Sequence, residues 1–267
     1  MSTLYIVGTP IGNLKDITYR AVETLKSVDM IACEDTRTSL KLLSHYEISK
    51  PLISYHKHNE KERSAEIVDA IESGKNVAII SDAGMPGICD PGAVVINKCR
   101  ERNIKIEIVP GPSACISSLS LIGLENSAFT FLGFLPEKQS DKLKVINEIR
   151  NLQHPVAMYV SPHDIQKTVD FLFAELGNRR CFLVRELTKI YEEVVSTTLE
   201  NFTCTEKGEM VFVLMPSDTK SIFDSMSIED ALAHCIQNGM DKKDAIKLVA
   251  KEKKLPKNEI YSIAIKI

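Results

Sequence analysis

Four short stretches carry side chains suited to chemistry. The densest, SDAGMPGICDPG (residues 81–92), sets two aspartates, Asp82 the evident charged contact, among three glycines and two prolines. EDTR (34–37) places Glu34, Asp35 and Arg37 just after the apolar run MIAC; SYHKHNE (54–60) offers His56 and His58; RELTK (185–189) offers Glu186 and Lys189. Carboxylates and imidazoles can take a proton from a hydroxyl, and Arg or Lys can steady the oxyanion that forms. Each has a plainer alternative. Asp35 can cap the helix that follows, with Arg37 paired to it, and Glu186 with Lys189 can be a salt bridge at a strand end. The His-x-His pair suggests a metal, but no third ligand stands at a useful spacing, so no metal is expected.

These side chains need elements to hold them. VGTPIGNLKD (7–16), SDAGMPGICDPG and VPGPSA (109–114) share one design: a strand ends, a Gly/Pro loop follows, a helix begins. In a parallel sheet the carboxyl ends of the strands lie on one edge, so the three loops should converge on one cleft. Glycines let backbone approach a ligand, prolines hold the loops in shape, and helix N-termini offer free N–H groups to an anion. Any one loop alone is ordinary turn chemistry; the three together favour a shared small-molecule site. Residues 8–13 read Gly-Thr-Pro-Ile-Gly-Asn rather than GxGxxG, and no GxxxxGK[ST] occurs, which argues against dinucleotide or ATP chemistry. What remains is a nucleotide-sized ligand whose identity the pattern leaves open.

The first half alternates strands with amphipathic helices. Strands are predicted at 4–9, 30–33, 51–55, 77–80 and 106–109. Helices are predicted at 16–29 with Asp16 as N-cap, at 37–46, from Ser64 to a stop at Gly74, and at 92–102. Strands apolar on both faces argue for a mainly parallel sheet covered by helices. The second half predicts strands at 129–136, 156–161, 180–187, 192–199 and 209–215 with helices at 138–151 and 164–176, a mixed α/β arrangement with hairpins. Residues 216–227 read as a linker and 228–253 as two short helices. The predicted domains are 1–111, parallel α/β; 112–216, mixed α/β; and 217–267, a helical Lys-rich extension.

Composition, 44% hydrophobic and 26% charged, is that of an ordinary soluble globular chain. The opening residues lack a basic n-region, and Gly8, Pro10 and Gly12 break their apolar stretch, so no signal peptide is expected. No apolar run approaches the roughly 18 residues that span a bilayer, so no membrane partner is expected. Seven cysteines without a CxxC pair read as reduced thiols in the cytoplasm. The net charge of −3 excludes a surface coated in basic patches, yet residues 240–267 hold eight lysines against four acids. That tail is either a solvated helix face or a surface for a polyanion. The chain has no Trp and 6% aromatics, which leaves little for stacking on single-stranded RNA.

In order along the chain, LYIVGTPIGNLKDIT, EDTR, SYHKHNE, SDAGMPGICDPG, VPGPSA, FLGFLP and RELTK resemble the tetrapyrrole-methylase superfamily. GTPIGNL with EDTR and HNE resembles its ribosomal-RNA branch in particular. The resemblance runs over essentially the whole chain. It implies S-adenosylmethionine held between two α/β domains, a homodimer, and 2′-O-methylation of a cytidine, cytidine 1402, in 16S rRNA or the small ribosomal subunit. It implies Pro10 and Ile11 beneath the adenosyl moiety, Asp82 with the backbone of Gly84 and Met85, then Ser113 and Ala114, with Val160 and Leu187 following more loosely. Asp35, Arg37 and Lys189 are expected at the reaction centre. Two positions depart from the branch: Met85 stands where threonine is usual, and Cys89 where serine is common. The alternatives are a corrinoid-precursor or diphthine-type methyltransferase on the same fold, and a non-catalytic nucleotide-binding regulator.

Overall fold

The computed structural model describes residues 2–124, 128–217, 226–253 and 255–265. Its contacts divide the chain into two compact units, 1–216 and 217–267. The first unit begins with β1 (Thr3–Val7), α1 (Tyr19–Ser27), β2 (Met30–Cys33), α2 (Thr36–His45) and β3 (Leu52–Ser54). It continues with α3 (Glu60–Glu72), β4 (Val77–Ile80), α4 (Ala93–Glu101) and β5 (Lys105–Val109). The five strands pair in the order β3-β2-β4-β1-β5, every pair parallel. All four residues of β4 are buried because both faces of the sheet are covered. Val77 and Ile79 pack with Ile67 and Ile71 of α3 and Val95 of α4. Ala78 and Ile80 pack with Ala21 and Leu25 of α1 and Leu43 of α2.

After β5 the chain changes sheet. α5 (Ala114–Leu121) leaves the first sheet and lays Cys115 and Leu119 on a second one, against Ala157, Val184, Val211 and Val213. That sheet contains β6 (Thr130–Phe134), β7 (Val156–Val160), β8 (Arg180–Arg185), β9 (Glu193–Thr198) and β10 (Met210–Leu214), ordered β6-β7-β10-β8-β9. β6 and β7 are parallel and the other pairs antiparallel, as expected of a mixed sheet. α6 (Gln139–Ile149) and α7 (Ile165–Leu176) cover its far face. The second unit holds α8 (Ile228–Gln237), α9 (Lys242–Glu252) and α10 (Lys257–Ala264) around Leu232, Val249 and Ile260.

Three expectations change. The first helix begins at Tyr19, not Asp16: the Thr18 side chain accepts from the Ala21 N–H, while Asp16 closes a 3₁₀ turn that Asn13 caps. The third helix begins at Glu60, a turn before Ser64, whose hydroxyl bonds back to the Glu60 carbonyl at 2.5 Å. A further helix, α10, follows the two predicted after residue 228. Most of the expected linker, 218–225, lies outside the described residues.

The parallel strands β4, β1 and β5 bring their carboxyl-end loops within van der Waals reach of one another. A Cβ on Gly8 would lie 2.6 Å from Met85 Sδ and 2.7 Å from Gly111 Cα, and one on Gly111 would lie 2.8 Å from the Gly8 carbonyl carbon. The Gly8 atoms that a Gly111 side chain would meet are backbone and cannot swing aside. Gly111→Ala is expected to lower stability by about 1–3 kcal/mol, the usual cost of overpacking, seen as a reduced urea midpoint. An unchanged midpoint would show that these loops are free to separate.

Candidate active site

Hydrogen bonds lock the converging loops into one piece. Thr9 and Gly84 exchange a pair of backbone bonds, 2.9 Å from Thr9 N to Gly84 O and 3.2 Å in return, and Gly8 N donates to Val109 O at 3.0 Å. The buried Thr9 hydroxyl reaches the carbonyls of Ser81 (3.1 Å) and Gly84 (3.3 Å). The far end of the 81–92 loop is pinned by Glu60, whose Oε1 accepts from Gly92 N at 2.9 Å and from the Tyr55 hydroxyl at 3.0 Å. Gly84, at φ +77°, turns where an L side chain would be strained.

A cavity of about 640 Å³ opens where this cradle faces the second sheet. Ile11, Asp82, Gly84, Met85, Ser113, Ala114, Val160 and Leu187 all line it. Pro10 instead lines a smaller neighbouring cavity of about 270 Å³, with Thr38, Ser39, Lys41 and Lys189. The two cavities share Ile11, Asp82, Ala83 and Glu209 as a common wall. Met85 is half-buried against the core of the first sheet, with its sulfur over Gly8.

The residues expected at the reaction centre are divided. Asp35 is the N-cap of α2, and its carboxylate also takes both arms of Arg37, at 3.1 Å from Nε and 2.8 Å from Nη2. These bonds draw the Asp35 pKa down from 3.8 to about 2. The Arg37 side chain is 88% exposed, and neither residue lines either cavity. Asp35 still touches the site through its backbone N–H, which donates to Asp82 Oδ1 at 3.2 Å. Lys189 lies at the second cavity with Nζ 2.9 Å from both Glu186 Oε1 and Glu209 Oε2. Burial opposes its charge, but the two carboxylates win and raise its pKa, which holds it as a cation. Backbone strain supports this arrangement: Glu186 (φ +51°) and Thr188 (φ +68°) are both left-handed, and a Cβ on Gly208 would strike Glu186.

His56 and His58 reach neither cavity. Asn59 accepts from His56 N at 2.8 Å and donates to the Ser54 carbonyl at 3.0 Å, so HNE builds the turn into α3. Among the described residues no group of three or more His, Cys, Asp or Glu is placed to hold a metal. Sequence reasoning did not single out Asp90 as a site residue, nor the aromatic wall of the cavity, where Phe131 and Phe134 each meet Tyr159 edge-on. The signal for Asp90 was its place in the same glycine loop as Asp82. The aromatics gave no local signal, since strand alternation does not say which face meets a cavity.

This lining fits S-adenosylmethionine. The volume lies within the roughly 300–1,000 Å³ of small-molecule sites, the aromatic wall suits a purine, and the carboxylates suit a cation. Burial raises the pKa values of Asp82, Asp90 and Glu34; for Asp82 the Asp35 N–H opposes this, while Lys57 pulls Asp90 and Glu34 down and repulsion from neighbouring carboxylates adds to the rise.

The Asp35–Arg37 pair sets a pH signature. Because the folded pKa is depressed, the contribution of Asp35 to stability is whole above about pH 4 and is lost as pH falls through about 2. Carboxyl NMR is expected to show Asp35 titrating near that value and moving up in Arg37→Ala. An unmoved titration would remove Arg37 as the cause.

Comparison with known proteins places this geometry. The family model for Tetrapyrrole (Corrin/Porphyrin) Methylases matches residues 3–203. The chain is 38% identical over 271 residues to ribosomal RNA small subunit methyltransferase I of Halalkalibacterium halodurans, covering 98% of this chain and 94% of that one. It is 47% identical over 206 residues to the protein of the same name from Mycoplasmopsis pulmonis, covering 75% and 90%. A crystal structure of diphthine synthase superposes with a TM-score of 0.67 at 19% identity, covering 80% of this chain and 90% of that one, a likeness of fold. The chain belongs to the tetrapyrrole methylase family, and within it to the ribosomal RNA small subunit methyltransferases I: it is an S-adenosylmethionine-dependent methyltransferase.

Proposed function

We propose that this enzyme methylates the ribose 2′-oxygen of cytidine 1402 of 16S rRNA, within the small ribosomal subunit. The observation that carries the reading is the pair of cavities with a common wall, a larger acidic one for a cofactor and a smaller one, at Lys189, for an acceptor. S-adenosylmethionine, when bound, would supply a methyl group on a sulfonium sulfur, its S–C bond breaking as the bond to the ribose oxygen forms, with the thioether as leaving group and the hydroxyl proton passing to solvent water. The chain's part is chiefly to align the two reactants across the wall. The loops carrying Ile11, Asp82, Gly84 and Met85 hold the cofactor from one side, with Ser113, Ala114, Val160 and Leu187 around it and Pro10 turned toward the acceptor. Lys189, held protonated by Glu186 and Glu209, steadies the oxyanion as its proton leaves. Arg37, exposed at the start of α2, meets a phosphate of the RNA, while Asp35 orients Arg37 and donates its N–H to Asp82.

In this reading residues 1–111 and 112–216 are two lobes of a cytoplasmic enzyme, with 217–267 as an extension. Exposed lysines Lys242, Lys243, Lys247 and Lys251 on α9 contribute phosphate contacts; Lys254 and Lys266 lie outside the described residues. Among the described residues no helix is long and apolar enough to cross a membrane. Ile88 (73% exposed), Ile116 (51%) and Phe134 (60%) make an apolar rim at the larger cavity, the surface a homodimer would cover.

Ribose-methylation mapping of 16S rRNA with and without the gene is expected to show one cytidine modified only when the gene is present. No transfer to any form of 16S rRNA would sink the reading, and transfer to a tetrapyrrole instead would favour a corrinoid role. Lys189→Ala is expected to cut transfer about 100-fold while calorimetric cofactor affinity stays within about twofold. Full transfer by that variant would take Lys189 out of the mechanism. Sedimentation is expected to give a dimer that Phe134→Asp returns to a monomer; a monomeric parent protein would discard the rim as an interface.

A further inference from the structure

The larger cavity is charged in one sense only. Asp82, Asp90 and Glu209 line it, and no Lys, Arg or His does. Glu209 is compensated from behind by Lys189 at 2.9 Å. Asp82 accepts one backbone N–H, from Asp35. Asp90 has no hydrogen bond among the described residues, and the positive charge that acts on it is that of Lys57, an exposed side chain that does not line the cavity. Glu34, at the end of β2, adds a further carboxylate facing Asp90, while Cys89 on its own loop and Tyr159 from β7 are the other titratable groups under its influence.

A half-buried carboxylate, Asp90, with the more exposed Asp82 near it beside an aromatic wall, is costly to keep charged unless a cation joins them. The cavity therefore rewards positive charge in its occupant. Before transfer the cofactor carries a sulfonium, an ammonium and a carboxylate, a net single positive charge. After transfer the sulfonium has become a neutral thioether and the net charge is zero. Reactant and product have nearly the same shape, so shape cannot separate them; charge can.

We propose that Asp90, acting with Asp82, discriminates the sulfonium cofactor from its thioether product by charge, so that methyl transfer itself weakens the hold on what remains. The proposal rests on the reading of this cavity as the cofactor site. Asp90 sits on the same rigid loop that carries Gly84 and Met85, and Glu60 fixes that loop's end through Gly92. Its distance from the cradle is thus set by the fold and not by the ligand. As a discriminating residue it acts through space and need not touch the reacting atoms.

Calorimetry on the full-length protein with S-adenosylmethionine and, separately, S-adenosylhomocysteine tests this. Asp90→Asn keeps the shape of the side chain and removes its charge. It is expected to weaken S-adenosylmethionine about tenfold while leaving S-adenosylhomocysteine within about twofold. Asp90→Glu, which keeps the charge, is expected to retain most of the preference and serves if the amide variant melts early. In the parent protein the preference is expected to shrink as acid protonates Asp90, a trend reduced in Asp90→Asn. Equal weakening of both ligands would overturn the proposal, because Asp90 would then hold a group they share; so would no weakening of either. If the parent protein bound neither ligand, the cofactor reading of the cavity would fall, and this proposal with it.

Discussion

The structure depends on how closely three adjacent parallel strands let their outgoing loops pass. Neighbouring strands lie about 4.8 Å apart, so the chains leaving β4, β1 and β5 must cross with no room for side chains between them. Gly8 and Gly111 meet that constraint by offering none, and Thr9 and Gly84 convert the crowding into a backbone bridge. The loop after β5 then has one way out, onto the second sheet through α5. The cavity is the space enclosed by that crossing, and its position follows from the strand order.

Its two walls are built from different material. One is main chain, stiffened by hydrogen bonds and proline, with carboxylates set at fixed points. The other is a sheet face of aromatic and aliphatic side chains, Phe131, Tyr159, Val184 and Val211. Charge is sorted in the same way. The acids face inward, and the cations Lys57, Arg37 and Lys189 stand behind or beside them. An ionic occupant is therefore met by sign on one side and by shape on the other.

Much of this was legible in the residues. VAII, apolar at every position, announced a strand covered on both faces, and the Gly/Pro loops announced a ligand edge because few other uses need three of them together. EDTR and HNE were harder. Asp, Asn and Thr that can bind a ligand or, for Asp, take a proton are also the residues that cap helices and close turns, and no local pattern separates the two uses. The structure gives Asp35 and Asn59 mainly to capping and turn-building, and gives Lys189 to the cavity, a distinction made only by partners distant in sequence such as Glu209. The aromatic wall stayed hidden for a similar reason: which face of β7 meets the cavity is decided by where α5 comes to rest. The start of α3 was missed because the side chain of Asn59 serves the preceding turn and makes no capping bond.

The cradle of carbonyls and N–H groups has one more property. What main-chain atoms hold, side-chain replacement cannot easily take away. Met85 shows this: its large thioether lies against Gly8 while the peptide groups of the loop stay bonded as they are. Such a site tolerates drift in most of its letters and is brittle at very few. Gly8, Gly84 and Gly111 are among those few, because a side chain at any of them meets backbone or needs a left-handed turn.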